Sequence, residues 1–266
     1  RTHHRTYHGR RGQYDRIRHA LDGQDAMKQN AGRYLRRPEG LTAHNWDQYL
    51  KGAAFYPVAD TTLRTMVGLA TRKDPKFEVP PRLEAILAAA SFDGRTLDVV
   101  TSDLLRDILS LGRVCSLLDF PTEGTTATST PYISTFYAED ILDWRMGMVN
   151  GVRRLTYLRL HEFNEDLEDT GTEQHLELTL DPLLTIRRWH VTMDDRGNAT
   201  QQTQVEDDLT PHVRGAPLEY IPAVIFGATD LSPDVEKPPL LDLVDTNIQH
   251  WELSANYSHA LWLSAM

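Results

Sequence analysis

The chain has 266 residues, 40% of them hydrophobic and 25% charged, and a net charge of −10 at pH 7. That length can bury a substantial core and allows one large domain or two small ones. No run of about 18 apolar residues reads as a membrane span and no basic-then-apolar start reads as a secretory signal, so a soluble chain made inside the cell is expected.

The charge is unevenly placed. Residues 1–37 hold ten Lys or Arg against three acids, leaving 18 basic and 35 acidic groups in the remainder. The first stretch, RTHHRTYHGRRG, reads as a flexible basic arm or an element ordered by a neighbour, because Gly9 and Gly12 oppose a stable helix. Arg1, Arg5, Arg10 and Arg11 are its candidate contacts to an acidic partner or nucleic acid, and a merely solvated arm is the alternative. The acidic remainder argues against sequence-reading DNA binding, which needs many contacts from Lys and Arg to phosphate.

Tyr14, Ile17, Arg18 and Leu21 predict a short helical face ended by Asp22-Gly23, with another turn over Asp25 to Gln29. After Pro38-Glu39-Gly40, the spacing of Trp46, Tyr49, Leu50 and Ala53 predicts an amphipathic helix that Pro57 bends or ends at Tyr56. Leu63, Met66, Val67 and Ala70 predict the next helix. A helix near Arg82 to Ala90 and an Asp93-Gly94 turn follow, then a helix through Val100, Leu104, Ile108 and Leu111 that stops at Gly112. There the period changes from helical to alternating. RVCSLLDFP reads as a buried strand closed by Pro121, and the Gly124 to Ser129 segment as a flexible loop. From Pro131 to Val205 come PYISTFY, DWRMGMV, RRLTYLRLHEF, HLELTLD, LLTIRRWHVTM and ATQQTQV, the last two joined by a hairpin turn at Asp194 to Asn198. A short apolar segment, Tyr220 to Phe226, leads to a terminal helix entered through Pro238-Pro239, with Leu241, Val244, Ile248, Trp251 and Ala255 on one face. This helix has no stop signal before Met266, and Arg1 is no initiator, so the chain reads as part of a longer polypeptide. The order of helices, antiparallel strands and helix predicts an α+β fold. Three parts are expected: residues 1–40, an arm with short helices; 41–236, the α+β body; and 237–266, the exit helix.

Motifs that carry chemistry are few. The lone cysteine, Cys115, excludes an internal disulfide, and its neighbours Val114, Leu117 and Leu118 predict a buried structural thiol. His161-Glu162 begins like the zinc-protease H-E-x-x-H, but the second histidine is missing and the segment reads as strand. No G-x-x-x-x-G-K-[ST] phosphate loop and no G-x-S-x-G elbow occurs. His3, His4 and His8 could share a metal, and Glu139, Asp140 and Asp143 could chelate one or act as paired carboxylates; a mobile arm and a strand corner are the simpler accounts. Between His161 and Asp208 there are 13 acids against three Arg. Glu162, Glu165, Asp166, Glu168 and Asp169 are thus a candidate acidic, phosphate-repelling surface, and solvated hairpin faces are the simpler account. No catalytic residue, cofactor or metal is assigned.

Six blocks, in order, resemble the portal (head-to-tail connector) proteins of tailed bacteriophages. They are AMKQNAGRYL from Ala26, YLKGAAFYPVADTTLRTMVGLATRKDP from Tyr49 and GRVCSLLDFP from Gly112. PYISTFYAEDILDWR from Pro131, YIPAVIFGATDL from Tyr220 and KPPLLDLVDTNIQHWELSANYSHAL from Lys237 complete them. Gly52-Ala53-Ala54 and Pro57 depart from the family pattern, where an arginine-alanine and an asparagine are usual, and this bears on local helix geometry. The resemblance implies a portal wing with the last helix leading toward a stem, and a ring usually of twelve subunits. It also implies double-stranded DNA passing without sequence recognition, and partnership with terminase, major capsid protein and a head-tail adaptor. The implied place is the portal vertex of the virion, with assembly in host cytoplasm, no membrane and no enzymatic activity. Trp46, Tyr49, Phe55, Tyr56, Trp251 and Trp262 are candidate subunit-interface residues, with intrachain packing as their other use. Two alternatives are another head-tail connector or adaptor, and a metal-dependent hydrolase built on Glu139, Asp140 and nearby histidines.

Overall fold

The computed structural model describes residues 3–73, 75–119, 131–167, 170–194, 199–213 and 215–265, apart from the side chain of Arg82. The fold is α+β. Its helices are α1 (Arg5–Asp22), α2 (Gln24–Gln29), α3 (Ala31–Tyr34), α4 (Ala43–Gly52), α5 (Val58–Ala70), α6 (Ala85–Ala88), α7 (Leu97–Leu111) and α8 (Leu241–Ser264). Its strands are β1 (Arg113–Asp119), β2 (Tyr132–Tyr137), β3 (Ile141–Val149), β4 (Val152–Glu162), β5 (Thr172–Leu180), β6 (Leu184–Met193), β7 (Ala199–Gln204), β8 (His212–Val213), β9 (Ala216–Pro217) and β10 (Ala223–Gly227). Two compact units form: one from residues 1–11, 77–104 and 113–236, the other from 12–76, 105–112 and 237–266. One border between the units falls at 236/237.

The first unit is built on antiparallel sheets in the order β10-β1-β2 and β3-β4-β5-β6-β7, with a two-stranded β8-β9 hairpin. Alternation explains the longer sheet: Leu176, Leu178 and Leu180 of β5 are buried while Glu177 and Thr179 between them are only partly buried. These leucines join Cys115, Leu117, Phe136, Trp144, Leu158, Leu160, Ile221 and Ile225 in one apolar core. Burial of that core is the main favourable term for the unit. Arg113, also buried, lies with its guanidinium 3.8 Å from the centre of the Trp144 ring, a cation-π contact in a water-poor site. The strands β6 and β7 pair with Met193 opposite Ala199, as the expected hairpin requires. Residues 195–198 of its turn, the Gly124 to Ser129 loop, Pro121 and Met266 lie outside the described residues.

One correction concerns the N-terminal arm. Residues 5–22 form a single helix through Gly9 and Gly12, and no flexible arm exists over the described part. Two central glycines each cost about 1 kcal/mol relative to alanine, and distant contacts outweigh them. Tyr7 is buried and donates its hydroxyl to the Glu139 carbonyl at 2.6 Å. The His4 amide donates to the Leu142 carbonyl at 2.7 Å, and its ring stacks on Trp144 at 4.0 Å.

The second unit is helical. Tyr14, Ile17, Ala20 and Leu21 of α1 are buried together with Met27, Ala31 and Leu35. Thr42 caps α4 by accepting the Asn45 amide at 3.2 Å. This helix ends at Gly52, four residues before the expected stop, because Ala53 and Phe55 turn inward. The Phe55 amide is held by the Gln24 side chain at 3.2 Å, and its ring meets Trp251 edge-on at 5.6 Å. The helix expected near Arg82 to Ala90 is instead a 3-10 turn, Pro81–Leu83, and the single turn α6, in the first unit. Gly112 ends α7 at φ +80°, donating to the Ile108 carbonyl at 2.9 Å. The long helix α8 buries Leu241, Val244, Asn247, Trp251 and Ala255. Asn247 thus occupies the seam where the hydrophobic pattern places Ile248, which is only half-buried.

Candidate functional site

A cluster of titratable groups lies in the first unit. In the β4-β5 ladder His161 is directly opposite His175, and the two rings are 6.3 Å apart. At the start of the chain His3 stands 6.4 Å from His175 and 5.1 Å from His8, and stacks on Tyr7 at 5.2 Å. Four imidazoles therefore run in the order His8, His3, His175, His161. Their charge states are set by different neighbours. Arg159 donates its Nε–H to Nδ1 of the fully buried His175 at 3.1 Å, and Nε2 of that ring faces the Glu173 carboxylate at 3.0 Å. An Nδ1 that accepts leaves the proton on Nε2, so His175 is a neutral ring between a donor and an acceptor. Burial depresses its pKa, and burial with the neighbouring His8 and His175 lowers that of His3 to about 4. His161 behaves oppositely: its Nδ1 is 3.0 Å from Asp140 Oδ1, and that hydrogen bond raises its pKa. The bond to His175 holds the Glu173 carboxyl below its ordinary range.

The pairing of His161 with His175 was missed from sequence, though aligning the two expected strands would bring them together. Asp140 serves the strand corner: its Oδ2 accepts the Tyr137 amide at 3.2 Å. Glu139 supplies a carbonyl to Tyr7, and Asp143 is buried and accepts the Trp144 amide at 3.0 Å. Among the described residues no three His, Cys, Asp or Glu side chains are arranged to hold a metal ion, including His3, His4 and His8. Burial pushes the Cys115 thiol up to about 12, which suits a structural residue and not a nucleophile.

The remaining candidates separate on inspection. Arg5 and Arg11 are exposed on α1 and Arg10 is half-buried there, so these charges sit on an ordered helix; Arg1 lies outside the described residues. Glu162 is not a free acid of the surface. It is bound to Arg188 at 2.9 Å and accepts from Gln174 at 2.6 Å, because β4, β5 and β6 bring these side chains to one face. Glu165 and Asp166 are exposed in a 3-10 turn, and Glu168 and Asp169 lie outside the described residues. Of the aromatic residues, Tyr49, Phe55 and Trp251 are buried inside the second unit and so are not presented as surface. Trp46 is half-buried and stacked on Tyr49 at 5.2 Å, while Tyr56 and Trp262 are more than half exposed.

The second unit also holds a cavity of about 750 Å3 whose lining includes Leu41, Tyr49, Lys51, His259 and Trp262. The His259 ring lies 6.0 Å from Trp262 and 5.4 Å from Tyr49, giving an aromatic wall with a lysine beside it. None of the described helices is long and apolar enough to cross a membrane. No known protein-family model matches the chain, and no curated protein matches its sequence.

Proposed function

We propose that this chain is a structural subunit of a phage portal ring at the capsid vertex, forming the channel for double-stranded DNA and joining head to tail. The observation that carries the reading is the set of six sequence blocks, in family order, spanning nearly the whole chain. An α+β body of antiparallel sheets followed by a long last helix is compatible with it. On this reading the protein is not an enzyme, and it works in the virion after assembly in host cytoplasm with terminase, major capsid protein and an adaptor. A heterologous contact repeated around a closed ring would use surface that the single chain leaves open, and Tyr56 and Trp262 are the exposed aromatic candidates. An acidic passage lets DNA slide because like charge prevents adhesion to phosphate. Glu165 and Asp166 are exposed candidates for it, and Glu162 is neutralised by Arg188.

Two measurements test this. Native mass spectrometry of the full-length protein should give a closed multiple, usually twelve; a monomer at every concentration would overturn the reading, and a different closed number would favour another connector. Reversing Glu165 and Asp166 to Lys should slow DNA packaging, and unchanged packaging would remove the acidic-passage part of the proposal.

A further inference from the structure

The start of the described chain is held on the five-stranded sheet through groups that change charge. His3 is buried between Tyr7, His8 and His175, and His4 and Tyr7 add the stacking and hydrogen bonds described above. We propose that residues 3–11 form a protonation-controlled strap, closed on the sheet while His3 and His175 are neutral and released when they take up protons.

The geometry makes closure depend on neutrality. A proton on Nδ1 of His175 removes the acceptor of the Arg159 bond and places two cations 3.1 Å apart. A proton on His3 puts charge into a buried site whose neighbours on α1 are His8 and Arg11 and whose neighbour on β5 is His175. Three anions oppose this. Glu173 on β5 faces both His3 and His175, Asp140 at the corner before β3 is bound to His161, and Glu177 on β5 lies 3.8 Å from Arg159. Glu177 is thus already engaged with Arg159 and Asp140 with His161, and Glu173 is left to answer two imidazoliums and Arg11. Tyr7, the remaining titratable group of the strap, stays protonated because burial raises its pKa. The His161–Asp140 pair lies within the sheet unit and persists after release.

The sign follows from the direction of the shifts. A histidine whose pKa is depressed in the closed state supports closure fully above its ordinary value near 6.5, and that support is lost as pH falls toward the depressed value. For His3, with values of 6.5 and about 4, closure weakens roughly 30-fold by pH 5. His175 adds to this in the same direction, so the opening equilibrium steepens toward two protons per event.

Hydrogen-deuterium exchange, corrected for intrinsic rate, reads this on the intact chain. Between pH 7 and pH 5 the amides of residues 5–11 should lose protection by 30-fold or more while those of β4 and β5 keep theirs. A double variant, His3→Phe with His175→Gln, should retain strap protection at pH 5. Protection of the strap that is unchanged at pH 5, or lost equally in the double variant, overturns the proposal. If that variant does not fold, the wild-type slope decides: one to two protons per opening supports the strap, and a slope of zero contradicts it.

Discussion

Replacing Asn247 with alanine should destabilise the helical unit by about 2–4 kcal/mol. Asn247 is 4% exposed, and its side chain serves two backbone groups across 188 and 191 residues of sequence. Its Oδ1 accepts the Ala59 amide at 3.3 Å, and its Nδ2 donates to the Tyr56 carbonyl at 3.0 Å. Ala59 lies in the first turn of α5, whose N-cap residue is Pro57 and has no side chain able to cap. Asn247 therefore works as a cap supplied from another helix. Truncation leaves the Ala59 amide buried without that acceptor, costing roughly 1–3 kcal/mol, and deletes a second bond of about 1 kcal/mol. The Tyr56 carbonyl keeps the Val58 amide at 2.8 Å, which limits the second loss. Urea unfolding followed by ellipticity and by tryptophan emission reads the change, since Trp251 is one turn away on α8. Asn247→Asp keeps an acceptor at a helix N-terminus but turns an anion toward the Tyr56 carbonyl, so its loss should be intermediate. A midpoint for Asn247→Ala that corresponds to less than about 0.5 kcal/mol, at unchanged slope, would refute the capping argument.

Two other outcomes are expected. Gly112→Ala forces a side chain into φ +80° and brings a Cβ within 2.9 Å of Pro239 Cδ; a loss of about 2–4 kcal/mol follows, and an unchanged unfolding midpoint would contradict the packing. Asp140 raises the His161 pKa, so their pairing supports stability fully below the ordinary histidine value and loses that support as pH rises through the raised one. The imidazole titration of His161 by NMR should move down in Asp140→Asn, and an unmoved midpoint would exclude Asp140 as the cause.

What was legible in the sequence was whatever a local period could carry. Leu176, Leu178 and Leu180 announce β5 because one face is buried, and Gly112 announces the end of α7 because its left-handed backbone costs other residues more. Helix α1 was hidden, since Gly9 and Gly12 weigh against it locally while Tyr7 is anchored 132 residues away. Asn247 was hidden for the same reason, a polar residue whose partners are distant in sequence. Counting acids between His161 and Asp208 suggests a candidate negative surface, with solvated hairpin faces as the simpler account, and the fold pairs Glu162 with Arg188 and Asp208 with Arg187. Net charge over a segment does not say which charges meet. Among the aromatic residues, helical spacing correctly grouped Tyr49 and Trp251 with apolar faces but could not tell an internal face from one offered to a neighbour.

We propose that this chain builds a ring around a passage for DNA. Negative-stain images of the purified full-length protein test it most directly: closed rings with a central hole are the expected result, and isolated globules across concentrations would contradict it.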